Sequence, residues 1–244
     1  MIDGRKNPEF VRSVENIAFL CNRHLGIGAD GLIILDDSDS YDFRMEYYNS
    51  DGKAGSMCGN GGRCTMAFAI ASGVVAEKAV FQASDGKHEA MVLPTGDIRI
   101  SLHDVPEFLH VEGGIFLNTG SPHLVIFVES TEKTDVEKEG RKLRHSSSFP
   151  DGCNVNFVEI RPDHIRVRTF ERGVESETLS CGTGVTAAAI ASFIHTGSFK
   201  NGAEVRTPGG KLKVEFDYTQ NQKCFSNIFL SGPVTNVFQG SIEL

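Results

Sequence analysis

Along the chain, apolar residues recur with two different periods, and the alternation between them sets out the elements. Val14, Ile17, Ala18 and Cys21 repeat at helical spacing, and Asn7-Pro8 ahead of them offers a capping side chain followed by proline, a helix-start pattern. That helix is expected to stop near Gly26. The loop Gly26 to Gly31 then leads into a continuous apolar run, Leu32 to Leu35, which reads as a strand. Phe43, Met45 and Tyr47 alternate with polar residues, as a half-buried strand would. A glycine-rich turn, Met57 to Gly62, precedes the small and apolar run Thr65 to Ala71, a buried helix ended by Gly73. Strands are predicted around Val80, Met91 and Ile98, with Thr95-Gly96-Asp97 as a turn. Residues 130–145 are strongly charged and predict a surface helix with a thin inward stripe of Val136, Gly140 and Leu143. Val155 to Ile160 and Ile165 to Thr169 again read as strands.

The pattern also repeats. Cys58-Gly59-Asn60-Gly61 returns as Cys181-Gly182-Thr183-Gly184, and each copy is followed by an alanine-rich stretch that ends at a glycine, Gly73 or Gly197. Downstream, Phe81 to Lys87 is echoed by Val205 to Lys211. Two matched features in the same order at nearly the same offset imply two similar halves, the period being too long for a solenoid.

Composition narrows the class. With 244 residues, 40% of them hydrophobic and 23% charged, the chain can build a sizeable core. A formal net charge of −8 argues against nucleic acid or an anionic membrane as the main partner. No apolar stretch approaches the roughly 20 residues of a membrane-spanning helix, and the N-terminus lacks the apolar run of a secretory signal. The expected location is therefore cytoplasmic. Six cysteines are too few for a disulfide scaffold in a chain of this size, so reduced thiols are expected. Cys21, Cys64, Cys153 and Cys224 read as packing residues.

The two Cys-Gly turns suggest chemistry. Glycine lets backbone approach a ligand closely, and a following helix aims its first N–H groups and the positive end of its dipole at the same spot. Such a spot binds a carboxylate, and it lowers the pKa of a thiol placed there. Two such turns would set two thiols against one ligand, which suits inversion of a stereocentre: one base removes a proton from one face while an acid delivers a proton to the other. No GxGxxG follows a strand, and a P-loop, a C-x-x-C pair and an H-x-x-x-H pair are missing, so neither cofactor nor metal is expected. A lone turn of this kind is more often structural, and the repeat is what tips the reading.

Cys58 to Cys64 (CGNGGRC), Glu171-Arg172-Gly173 and Ser180 to Gly184 (SCGTG) resemble the signature segments of the diaminopimelate epimerase family. The resemblance extends through His24 to Gly31, Asn49 to Gly52, Gly120 to His123, Asn154-Val155 and Thr207 to Gly210, in order along nearly the whole chain. It implies an α/β (α+β) fold of two pseudo-symmetric domains, each a mixed, largely antiparallel barrel-like sheet around a central helix. The domains are expected at 1–108 and 109–234, with a C-terminal strand at about 235–244 returning to the first, and with the active site in the cleft between them. The implied reaction interconverts LL- and meso-diaminopimelate without pyridoxal phosphate, for lysine and peptidoglycan precursors. It casts Cys58 and Cys181 as the acid/base pair, with Cys181 the acceptor and Cys58 the donor in the LL-to-meso direction.

The resemblance also implies that Gly59, Asn60, Gly182 and Thr183 hold the reacting carboxylate. Asn49, Asn154 and Arg172 would read the distal end of the substrate, and Glu171 would contact substrate and, with His123, tune the thiols. His123 is placed in a loop between strands, where a structural hydrogen bond is its rival role. Phe238 matches a dimer contact, so a homodimer is expected.

Two departures qualify this. Ser121 stands where most of the family has asparagine. The family's opening strand and its Gly-Asn-Asp-Phe loop do not precede Met1-Ile2-Asp3, which reads as an internal start or a truncation and predicts a folded chain of lowered stability and activity. The alternatives are a two-cysteine racemase or isomerase of another amino acid, or a catalytically silent homologue.

Overall fold

The computed structural model describes residues 1–244. The chain divides into two compact units, Met1–Ile100 with Pro233–Leu244, and Ser101–Gly232.

In the first unit, β1 (Ile2–Asp3) is followed by α1 (Val14–Cys21), β2 (Gly31–Asp36), β3 (Phe43–Asn49), α2 (Gly59–Ala71), β4 (Lys78–Ala83), β5 (Gly86–Val92) and β6 (Ile98–Ser101, whose last residue falls in the second unit). The sheet runs in chain order. β1 is parallel to β2, β2 antiparallel to β3, β3 parallel to β4, and β4, β5 and β6 form antiparallel pairs. The apolar run in β2 follows from its place in the layers. Ile17, Leu20 and Cys21 of α1 pack on Leu32 and Ile34, while α2 lies against β2, β3 and β5. A strand covered on both faces has no solvent side to carry polar residues, so it reads as a run and not an alternation.

The second unit opens with β7 (Phe108–Val111) and β8 (Gly114–Asn118). It continues through β9 (Pro122–Phe127), α3 (Val136–Arg144), β10 (Asn154–Ile160), β11 (Ile165–Glu171), β12 (Ser176–Thr178), α4 (Gly182–Thr196), β13 (Gly202–Thr207), β14 (Gly210–Thr219) and β15 (Cys224–Gly232). From β9 onward it repeats the first unit. β9 is parallel to β10, β10 antiparallel to β11, β11 parallel to β13, and β13, β14 and β15 form antiparallel pairs. Helices fall at matching points, α3 for α1 and α4 for α2. The β7–β8 hairpin, antiparallel to β9, and the short β12 beside β11 are additions.

Within this unit α4 is the central helix. Val185 to Ser192 are buried all round, and α4 touches β8, β9, β10, β11, β13, β14 and β15. Alanines there let the sheet approach the helix closely. The outer layer is α3, whose Val136 joins Leu124, Val155, Phe157 and Phe170 in a buried cluster. Each unit is thus a mixed α+β arrangement with an outer helix, a sheet and an inner helix.

Several expectations need correction. α1 begins at Val14, not after Asn7-Pro8: Ser13 is its N-cap and accepts from the Asn16 N–H, while the Asn7 side chain donates to the Asp3 carbonyl. It stops at Cys21, because Asn22 turns the chain by accepting from the His24 and Leu25 N–H groups. The charged helix is shorter than 130–145, since Asp135 caps it by accepting from the Lys138 N–H. The buried helix of the first unit starts at Gly59, directly after Cys58. Residues 233–244 form no strand, and Phe238 there is 70% exposed. A segment with polar or small residues at Thr235, Asn236, Gln239, Gly240 and Ser241 lacks the alternating apolar face that holds a strand on a sheet.

Gly140 shows how tightly α3 is seated. A Cβ at that position would lie 2.4 Å from Phe170 Cβ and 2.7 Å from its Cγ. Gly140→Ala is expected to lower stability, because overpacking costs about 1–3 kcal/mol and outweighs the roughly 1 kcal/mol of helix propensity gained. Urea unfolding checks this, and a midpoint equal to or above wild type would contradict it.

Candidate active site

The two cysteine turns are built alike. Cys58 caps α2 with φ −110° and ψ 121°, and Cys181 caps α4 with φ −114° and ψ 114°. The carbonyl of each accepts the first helical bond, from the Gly62 N–H at 2.7 Å and from the Val185 N–H at 2.8 Å. Gly59 and Asn60 in one unit, and Gly182 and Thr183 in the other, occupy the first two helical positions, whose N–H groups precede the intrahelical ladder. Both thiols are half-buried at the positive end of a helix.

The side chains around each thiol differ. In the first unit Cys58 Sγ accepts from the Gly61 N–H at 3.5 Å. Arg63, one turn along and 5% exposed, donates from Nη2 to Asn60 Oδ1 at 2.7 Å and from Nη1 to the Gly59 carbonyl at 3.3 Å. Asn49 sits exposed at the end of β3, where its N–H donates to the Lys53 carbonyl and its own carbonyl accepts from the Gly52 N–H.

In the second unit the inner faces of β9 and β10 carry His123, Asn154 and Asn156, while Leu124, Val155 and Phe157 face α3. His123 therefore lies in a strand and not in the expected loop, and it is fully buried. Its ring bridges three groups. Nε2 lies 2.9 Å from Thr183 Oγ1 and 3.0 Å from Ser121 Oγ, and Nδ1 lies 3.1 Å from Asn156 Nδ2. Asn156 Nδ2 also donates to the Leu124 carbonyl, which can only accept, so the amide orientation is fixed and Nδ1 must accept. The ring proton is then on Nε2 and points at Thr183 or Ser121. The Thr183 hydroxyl, 3.5 Å from Cys181 Sγ, completes a path from Asn156 to the thiol. Gly184 permits this packing, since a Cβ there would lie 2.4 Å from Asn156 Oδ1.

Asn154, 4% exposed, is occupied within its own unit. Its Nδ2 donates to Ser121 Oγ and to the Pro122 carbonyl, and its Oδ1 accepts from the Arg172 N–H at 2.9 Å. Arg172 is exposed, with Nη1 donating to the Asp151 carbonyl at 3.4 Å. Glu171, its neighbour at the end of β11, accepts from the Thr178 hydroxyl at 2.9 Å. Ser121, Asn154 and Arg172 are thereby joined to the His123–Thr183–Cys181 chain. Arg63, Asn156 and Thr169, whose hydroxyl donates to Asn156 Oδ1, join the site without having been among the expected residues. A guanidinium in a helix of small residues and an asparagine two places from Asn154 in a buried strand were the available signals.

A model of the diaminopimelate epimerase family matches residues 1–108 and 115–237. The chain belongs to the diaminopimelate epimerase family. That makes it an isomerase of the epimerase type. Among its relatives, the diaminopimelate epimerase of Flavobacterium psychrophilum is 45% identical over 244 residues, covering 99% of this chain and 94% of that one. The diaminopimelate epimerase of Chlorobaculum tepidum is 42% identical over 256 residues, covering 100% and 96%. Solved structures extend the likeness of fold beyond the family. A phenazine biosynthesis protein of the PhzF family from Bacillus anthracis aligns with a TM-score of 0.69 at 15% identity, over 84% of this chain and 82% of its own. A probable proline racemase from Agrobacterium radiobacter aligns with a TM-score of 0.62 at 16% identity, over 90% and 77%.

Burial, with Arg172 nearby as a smaller cause, pushes the His123 pKa down to about 3. A second proton would also set an N–H on Nδ1 against the donating amide of Asn156. The sign follows: below about 6.5 the unfolded chain binds a proton that the folded one refuses until about pH 3. Stability present above pH 6.5 is therefore lost as pH falls through that window, at up to about 1.4 kcal/mol per unit. His123→Gln is expected to flatten the acid side of the stability–pH curve between pH 6.5 and 4. Parallel slopes for the two proteins in denaturant titrations would show that His123 titrates freely.

Proposed function

We propose that the chain epimerises diaminopimelate, interconverting the LL and meso forms by a two-base transfer between Cys58 and Cys181 and without pyridoxal phosphate. The observation that carries this reading is the pair of helices capped by cysteine with the same backbone geometry, in two units of one topology, in a chain of this family. In the LL-to-meso direction Cys181, as thiolate, takes the α-proton from one face, and Cys58, as thiol, returns a proton to the other. The N–H groups at Gly59, Asn60, Gly182 and Thr183 bind the reacting carboxylate. They stabilise the enolate-like charge that grows there, the term a cofactor-free site must supply through oriented dipoles.

Arg172 is suited to the distal carboxylate, being exposed with its guanidinium bonded only weakly to a carbonyl. Asn154 supports that role from beneath by holding the Arg172 backbone. Asn49 and Glu171, at the ends of β3 and β11, are candidates for the distal amine. His123 acts on Cys181 through Thr183, as a neutral donor. In the same reading the enzyme serves lysine and peptidoglycan precursor synthesis in the cytoplasm, and the exposed Phe238 contributes to a homodimer.

Cys58→Ser and Cys181→Ser should each fold, since serine is a good helix cap. Each should lose at least about a hundredfold in epimerisation, the scale set by a positioned acid or base. A coupled assay for meso-diaminopimelate measures this, with circular dichroism for the fold. Near-normal turnover in both single variants would sink the two-base reading. Efficient turnover of proline by the wild type would replace the substrate.

A further inference from the structure

The two cysteine turns are matched in backbone and mismatched in charge, and the mismatch lies at one residue. Five positions after each cysteine stand Arg63 and Thr186. Both donate to the carbonyl of the first helical glycine, Arg63 to Gly59 at 3.3 Å and Thr186 to Gly182 at 3.0 Å. Arg63 does two things that Thr186 cannot: it holds Asn60 Oδ1, and it brings a positive charge. The acceptors it meets are a carbonyl and an amide oxygen, both neutral, and its Nε has no hydrogen-bond partner. A buried guanidinium left without a carboxylate is costly for packing alone, since hydrophobic residues fill such space at no charge-burial cost.

We infer that Arg63 is a positioning residue for the Cys58 turn, fixing the Asn60 amide through its guanidinium fork and stabilising the Cys58 thiolate by its charge. With Oδ1 of Asn60 taken by Arg63, the orientation of the amide is set and its NH2 group is the free end. The charge acts in the same turn. Burial lowers the Arg63 pKa, while Cys64 first, then Cys58 and Asp97, favour its charged form; an ionised Cys58 shares that attraction with Cys64, which the Met1 amine also faces. Of the elements packed on α2, β2 and β3 meet the turn with apolar Ile33 and Met45, and β5 turns inward with His88, bonded to Asp85. In the second unit the ring beside Thr183 is the neutral His123, which comes from β9 and not from the helix. One thiol is thus supported by a cation and the other by a hydrogen-bond chain.

This inference rests on the reading of Cys58 as an acid/base group, and its test measures the thiol itself. The pH dependence of Cys58 alkylation by iodoacetamide, assigned by peptide mass, is compared for wild type, Arg63→Met and Arg63→Lys. Arg63→Met should move the midpoint upward by about one unit or more, the scale of an adjacent charge, and Arg63→Lys should restore it. Lysine lacks the fork, so Arg63→Lys should still lower kcat/KM, and adding Asn60→Ala to it should cost nothing more. A folded Arg63→Met with an unmoved midpoint would overturn the electrostatic role. Additive losses in the Arg63→Lys and Asn60→Ala cycle would overturn the positioning role, and this arm stands even where Arg63→Met does not fold. A normal alkylation profile in a protein without epimerase activity would count against the proposed substrate and leave Arg63 untouched.

Discussion

The rest of the molecule is arranged around the junction at which a cysteine becomes the cap of a helix. The chain arrives extended at Cys58 or Cys181, turns through glycine, and begins a helix whose first N–H groups lack intrahelical partners. Those unpaired donors and the thiol face the same direction because the cap side chain and the first-turn N–H groups always do. A helix that presents such a turn must be held firmly from its sides. α4 meets this need with a ring of strands and a sequence of alanines, which give the sheet no side-chain bulk to avoid. α2 meets it with glycine at 61 and 62, against which Met45, Ile33 and Met57 lie close.

Much of this was legible in the sequence wherever a local pattern has a single physical meaning. The run Leu32 to Leu35 and the alternation from Phe43 to Tyr47 located β2 and β3, because strand burial writes itself directly into residue polarity. The paired Cys-Gly turns located both caps, and the duplicated motif foretold a duplicated topology. Legibility failed where the deciding contact is distant in sequence. Asn7-Pro8 has the local chemistry of a helix start, but Asn7 is committed to the Asp3 carbonyl and the cap passes to Ser13. His123 follows proline and resembles a loop residue, yet parallel pairing with β10 draws it into a strand. Arg63 stood in plain view inside a motif, and only its burial shows that it is more than a surface charge.

Duplication explains why the two halves can share a backbone and still differ in chemistry. The inner helix, the parallel strand pair around it and the outer helix recur, so each thiol is delivered by the same geometry. The polar groups beyond each turn come from different elements: Arg63 of the helix itself holds Asn60 in the first unit, while His123 of β9 and Asn156 of β10 stand behind Thr183 in the second. A proton transfer with two directions needs two groups of similar reach and separately adjustable acidity. For the proposed two-base transfer, a repeated scaffold with unlike neighbours would supply both.

Asn154 ties together segments that are otherwise far apart in the chain. Its donors hold Ser121 and Pro122, and its acceptor holds the backbone of Arg172. The side chain behaves as a latch between the strand that carries His123 and the arm that carries the guanidinium. From the Arg172 backbone the hydrogen bonds run through Asn154 and Ser121 to His123, Thr183 and the sulfur of Cys181. In the proposed reading, a substrate held by Arg172 would therefore share one hydrogen-bond network with the thiol of Cys181, with Asn154 as the shared member.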